Sequence, residues 1–173
     1  SPTQRLETNG NAQFNAYDSG SGAGGYYTPK GLQIGNAFDA GLSGGNDDRN
    51  AIVWNERGTD LLFGTNNLER LRIDYAGNVG VGVVPEAWAS IMKVVQIGNA
   101  AVREESTNVG LSQNAYYDGT NTRWEYITTN KASDYYQLEG SHNWRVAASG
   151  SADAAISWTT AMNIQNNGYF ELG

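Results

Sequence analysis

The chain has 173 residues, no cysteine, one histidine and no apolar run near the about 18 residues of a membrane-spanning helix, so neither disulfides nor membrane insertion enters the expected fold. Eleven Lys and Arg against 18 Asp and Glu leave a net charge of −7, which argues against nucleic acid as a partner, because affinity for a phosphate backbone comes from clustered cations. With 22 glycines and 39% hydrophobic residues, modules of roughly 70–90 residues sit near the size where one core is marginal, so other chains are expected to complete the burial.

The string RLETNGNAQF at 5–14 returns as RIDYAGNVGV at 72–81 and, loosened, as NIQNNGYFEL at 163–172. Each copy sets an apolar residue before an acid or amide (Leu6, Ile73, Ile164), then a glycine (Gly10, Gly77, Gly168), then alternating residues. That pattern predicts strand, tight turn, strand. A second string, LQIGNA at 32–37, recurs as VQIGNA at 95–100. The copies stand at unequal intervals, whereas a solenoid keeps its spacing so that repeats can stack. A shared frame with inserts of different length is the expectation. No basic and apolar leader precedes the first copy, and the chain reads as an excerpt of something longer.

Further along, 20–25 and 41–48 are glycine-rich loops. A strand at 51–54, a turn around Arg57-Gly58, a strand at 61–63, a turn at 65–67 and a strand at 68–74 lead into the second glycine turn. Behind Pro85, the residues Val84, Trp88, Ile91, Met92 and Val95 fall at helical spacing and predict one short helical turn. From 109 to 160 the alternation predicts an antiparallel meander of about five strands. Within it lie a hairpin at 116–127 turning on Asp118-Gly119, strands at 135–138 and 142–148 joined by Glu139-Gly140, and a strand at 155–158. His142, Trp144 and Val146 are expected on one strand face. The chain is therefore read as mostly β. Residues 1–14 end a preceding module, 15–83 form a first β module, 84–94 a connector and 95–173 a second, larger module with meander or sandwich-like inserts.

No nucleophile and base, and no pair of carboxylates in one cleft, is legible, so the chain is not read as an enzyme and no catalytic residue is assigned. His142 lies on an alternating strand without metal-ligand spacing, and Glu104-Glu105 and Asp47-Asp48 read as solvated loop charge. The GGNDD string at 44–48 lacks the spacing of a calcium loop, so neither metal nor cofactor is expected. Ten tyrosines and five tryptophans stand out, with adjacent tyrosine pairs at 26–27, 116–117 and 135–136. Neighbouring strand residues face opposite ways, so one ring of each pair can pack inward while the other meets solvent, where a flat hydroxylated ring suits a sugar face. The alternative is that all these rings build core and interface.

ERLRIDYAGNVGVG at 69–82 resembles the ERMRIDxxGNVGIG signature that recurs in tail-fibre and host-recognition proteins of tailed bacteriophages, where a proline-containing connector follows, as Pro85 does here. NAYYDGT at 114–120 with Trp124-Glu125-Tyr126, and later 161–164, resemble the spacing of phage fibre distal regions. The third junction lacks the GNVGxG core, and nothing corresponds to the serine and lysine pair of the self-cleaving chaperone on which many such fibres end. The resemblance implies an intertwined homotrimer with its modules along a fibre axis, located on the virion and exposed to the medium. Ile73, Val79 and Val81 alternate to one side and Arg70, Arg72 and Asp74 to the other, so the apolar side is expected to face a threefold axis, with Gly77 at the junction. Glycines 77, 80 and 82 permit close backbone approach at a turn or crossing. The resemblance further implies host attachment with other virion tail proteins as partners. Tyr116, Tyr117, Trp124, Tyr135 and Tyr136 are the candidate contacts to a bacterial surface glycan. A glycan-degrading tailspike segment and a purely architectural shaft are the alternatives.

Overall fold

The computed structural model describes residues 32–36, 51–55 and 58–173. The chain forms two compact units, 1–58 and 59–173. In the first, β1 (Leu32–Asn36) pairs antiparallel with β2 (Ala51–Asn55), from Leu32 opposite Asn55 to Asn36 opposite Ala51. The first junction copy at 5–14, the glycine-rich stretches at 20–25 and 41–48, and the Tyr26-Tyr27 pair lie outside the described residues.

The protein is mostly β, with no helix among the described residues. In the second unit, β3 (Leu61–Thr65), β4 (Leu68–Ile73), β5 (Val79–Val81), β6 (Lys93–Ile97), β7 (Ala100–Glu105) and β8 (Asn108–Gln113) follow one another across a sheet. A small hairpin, β9 (Tyr116–Asp118) with β10 (Arg123–Glu125), then leaves the sheet; it turns not on a tight Asp118-Gly119 pair but through the loop 119–122, with Asp118 still paired to Arg123 and Thr122 at φ 52°. The chain rejoins the sheet with β11 (Asn130–Leu138), β12 (Ser141–Gly150), β13 (Thr159–Ile164) and β14 (Phe170–Leu172). The result is a 10-stranded sheet in the order β14-β13-β12-β11-β8-β7-β6-β5-β4-β3, antiparallel throughout except for the parallel pair β5 and β6. Hydrogen bonding therefore runs without interruption from β5 to β6, on either side of the 84–94 connector.

Turn chemistry sets the register. Asn66 and Asn67, with φ of 52° and 56°, join β3 to β4, and Glu139 and Gly140, with φ of 49° and 83°, join β11 to β12. Two consecutive left-handed residues match the twist of the flanking strands. The second and third junction copies close alike despite their divergent sequences. Asp74 N donates to Asn78 O and Gly77 N to Asp74 O; Gln165 N donates to Tyr169 O and Gly168 N to Gln165 O. Gly77 (φ 89°) and Gly168 (φ 84°) hold the left-handed position in each.

Two expected elements differ. No helix forms behind Pro85, and the expected turn is reduced to one i→i+3 bond in which Met92 N donates to Ala89 O. The amide of Ala89 donates to Tyr117 O, and Trp88 forms a bridge with Asp118, so tertiary partners take the backbone groups that a helix would pair internally. The chain at 155–158 is an irregular segment held by a bridge from Ala155 to Glu125 and by Ile156 N donating to Trp124 O.

The connector crosses close to β5, and Gly80 makes the crossing possible. A Cβ there would strike Val83 O and lie 2.8 Å from Pro85 Cδ, whereas one at Gly58 would meet nothing within 4 Å. Gly80→Ala is expected to lower stability by at least ~1–3 kcal/mol, the usual cost of overpacking, and Gly58→Ala to leave it unchanged; denaturant midpoints at one protein concentration check both.

Candidate functional site

Strand alternation gives the sheet two unlike faces. On one, Leu61 stands opposite Ile73, Ile73 opposite Val79, Val79 opposite Val95 and Val95 opposite Val102. The row continues through Leu111, Tyr135, Trp144 and Met162 to Leu172, one residue from every strand. This face is open: Val95, Val102 and Leu111 are 39%, 51% and 54% exposed. The residues beside them in sequence point the other way, and Gln96, Arg103, Ser112 and Asp134 are at most 3% exposed. A half-solvated antiparallel sheet ordinarily buries its apolar side; here the chain roofs the polar one.

The roof is the connector, the β9–β10 hairpin and the segment around 154–158. Trp88, Met92, Val94, Ala101 and Tyr116 form one cluster beneath it, and Ala115, Tyr126, Ala132 and Ala147 another. Arg103 grips Asp134 with two hydrogen bonds of 2.8 and 3.0 Å, and Arg145 Nε donates to the same carboxylate at 2.9 Å. Gly110, opposite Arg103 on β8, leaves room for this: a Cβ there would run into the guanidinium. The pair of cations exceeds its single carboxylate in charge, and aromatic faces supply the rest. The Arg103 guanidinium carbon lies 4.6 Å from the Trp124 ring centre, and that of Arg145 lies 4.4 Å from Trp158 and 4.8 Å from both Trp124 and Tyr136. Burial pulls the Arg145 guanidinium below its usual value, while Asp134 opposes the shift.

Three further polar ties fasten the roof. Gln96 Oε1 accepts from Glu86 N at 2.9 Å and from Trp88 Nε1 at 3.0 Å, and its Nε2 donates to Gly98 O. The glutamine of the repeated VQIGNA string thus anchors the connector to the strand after it. Asn114, fully buried at φ 55°, donates to Thr128 O and Lys131 O and accepts from Thr128 N and Oγ1, closing the excursion that carries the hairpin. Tyr116 OH donates to Glu125 at 2.9 Å. Burial, then this bond, raises the Tyr116 pKa. For Glu125 burial pushes upward, but hydrogen bonds from Arg123, Tyr116 and Asn121 together outweigh it and hold the carboxyl below its usual range.

The aromatic residues singled out in the sequence do not form one exposed surface: Tyr116, Tyr117 and Trp124 meet around Trp88, and Tyr135 and Tyr136 face opposite sides of the sheet. Tyr116 is buried and presents no ring face to solvent. Trp124 belongs to the core, edge-on to Trp88, Tyr117 and Trp158. Tyr117 is half-buried with its hydroxyl on Thr122 O. Tyr136 lies against Arg145 on the roofed side, and Tyr135 projects to the open side. There Tyr135 and Trp144 sit 4.9 Å apart, with His142 stacked at 6.1 and 6.2 Å from them and its Nδ1 hydrogen-bonded to Tyr135 OH at 2.6 Å. Ile73, Val79 and Val81 all lie on the open side, Ile73 directly opposite Val79, while Gly77 sits in the turn beside it. Single-sequence reasoning did not single out Ile97, Val102 and Leu111, and it set Val95 in a helical turn where the structure has strand β6. Their alternation was visible, but the cross-strand register that aligns them was not.

Glu104 and Glu105 are neighbours on β7 and face opposite ways, opposite Lys93 and Asn108 respectively. Asp47-Asp48 lies outside the described residues, and among the described residues no group of three or more metal-ligating side chains gathers. A shallow hollow of about 270 Å³ on the open face is lined by Val79, Val95, Val102 and Val109 with Lys93 and Glu104 at its edge. A polar one of about 290 Å³ lies between Glu139, Ser141, Asn163 and Asn166. Comparison with protein-family models, curated proteins and solved structures finds no match.

Asp134→Asn leaves two buried guanidiniums without their counter-charge and is expected to cost ~3–5 kcal/mol, read as a fall in denaturation midpoint. Burial, with Asp153 nearby, raises the Glu86 pKa. The folded state then holds this proton more tightly than the unfolded one, so stability falls as pH rises through the unfolded and then the folded value, and stays lower at neutral pH. Glu86→Gln is expected to melt above the parent at pH 7 and close to it at pH 3; thermal unfolding at the two pH values checks the sign.

Proposed function

We propose that this chain is a structural and receptor-engaging segment of a homotrimeric bacteriophage tail fibre that attaches the virion to the host cell surface. The observation that carries the reading is the inverted sheet. A strip of aliphatic and aromatic side chains crosses all ten strands of the sheet and is not roofed by any other described element, and a strip of that extent marks an interaction surface. The fibre assignment draws on the junction at 69–82 and on the third copy at 163–172, which closes with the same backbone hydrogen bonds. Modules would follow one another along the fibre axis, with other virion tail proteins joined at its ends.

On the roofed side, away from the copy-to-copy surface, Tyr117 at the β9–β10 hairpin is the aromatic ring best placed to meet a bacterial surface glycan, with Tyr136 deeper beside Arg145. A single shallow contact is weak, and three linked copies multiply it. The test is adsorption of the labelled protein to a panel of bacterial strains, compared with Tyr117→Ala. The expected result is binding to some strains that drops at least several-fold in the variant at equal folded concentration. Undiminished binding would assign Tyr117 to packing, and a folded oligomer that adsorbs to no strain would favour an architectural shaft.

A further inference from the structure

We infer that the open face is closed by two further copies of the same chain, held in register about an axis that runs along the apolar row, so that the strands lie across the fibre and each contributes one layer. This rests on the homotrimer reading and names the surface and symmetry that reading leaves open. The row takes one residue from each of ten strands, and Tyr135 is its sole ionisable member. At ~4.8 Å between strands it extends about 43 Å. Its occupant must be uncharged, apolar and equally long, and the chain's own strip meets all three conditions.

The size fits as well. Flanking rows widen the face to three side chains: Leu71, Val81 and Ile97 on one side and Val109, Ile164 and Phe170 on the other are apolar, while Gln113 and Ser133 on the first and Lys93, Glu104, Gln137 and His142 on the second give the middle of the strip a polar rim. With ~6.8 Å between rows, the strip covers roughly 600 Å² before side-chain relief is added, on the order of the ~800 Å² per partner of a stable interface. The hollow at Val79, Val95 and Val102 gives opposing side chains a place to enter.

Symmetry follows from the repeats. The junction recurs at 5–14, 72–81 and 163–172. An axis along the row keeps the junctions at 72–81 and 163–172 level with their equivalents in the neighbouring copies. A twofold axis lying in the interface parallel to the strands would also bring two such faces together, but it reverses the row and sets Ile73 against Met162.

Because the chain has no cysteine, single-cysteine variants report these neighbours directly. Ile73→Cys and Met162→Cys occupy the second and ninth places of the row, Val102→Cys the fifth, and Thr120→Cys on the exposed hairpin loop is the control. Sedimentation equilibrium of the parent is followed by treatment of each variant with a short three-armed maleimide. The expected result is a trimeric parent, denaturant-resistant trimers from each row variant alone, and none from Thr120→Cys. A monomeric parent would overturn both this inference and the homotrimer reading. A trimeric parent whose row variants do not link would overturn this surface and leave the trimer standing. Linking only when Ile73→Cys and Met162→Cys are mixed, or a dimeric mass throughout, would overturn the in-register threefold arrangement.

Discussion

Asp134 is held by two guanidiniums where water does not reach, and that clamp decides which side of the sheet the chain covers. Arg103 comes from β7, Asp134 from β11 and Arg145 from β12, while Trp124 and Trp158 close over them from the roof. With all three turned inward, strand geometry turns Val102, Tyr135 and Trp144 outward. A slip of one residue in any of these strands would exchange the two sets, exposing charge pairs to water on one side and, on the other, setting aliphatic groups where the aromatic roof meets guanidiniums. The clamp therefore fixes register across the middle of the sheet, and the apolar row is its consequence on the opposite face.

Around the clamp, small residues and amides do the joining. Gly80 lets the connector cross β5, and Gly110 lets Arg103 lie flat across β8. Gln96 ties the connector to β6, and Asn114 ties the exit of the hairpin excursion to its entry. Each position serves a backbone or a buried polar group rather than an apolar contact. A sheet with so little aliphatic material on its roofed side is specified in this way, because every buried donor and acceptor there demands a partner in one place.

In the proposed trimer, the face that the described residues leave uncovered links the stability of the chain to assembly. For such a protein, folding and association are one equilibrium, and its midpoint depends on concentration. The stacked Tyr135, His142 and Trp144 make an aromatic stretch at the seventh and eighth places of the row, whereas valines hold the third to fifth. That difference in side-chain shape distinguishes one direction along the row from its reverse.

The sequence by itself determined the strand content, the hairpins and the turns. Period-two alternation, Asn66-Asn67, Glu139-Gly140 and the junction glycines are local signals whose cause lies within a few residues. It also placed Ile73, Val79 and Val81 on a common side, since two short strands and a tight turn leave little freedom. Only the tertiary structure decided the rest. The helical spacing at 84–95 gave way because the Ala89 amide found a strand carbonyl instead. The aromatic pairs were divided between core, roof and open face by which neighbours they met, and the ten-residue row arose from the pairing of strands separated along the chain. Alternation tells which residues share a face of one strand, but whether that face is covered depends on where the connector and hairpin pack, and their packing is set by long-range contacts that no local window contains.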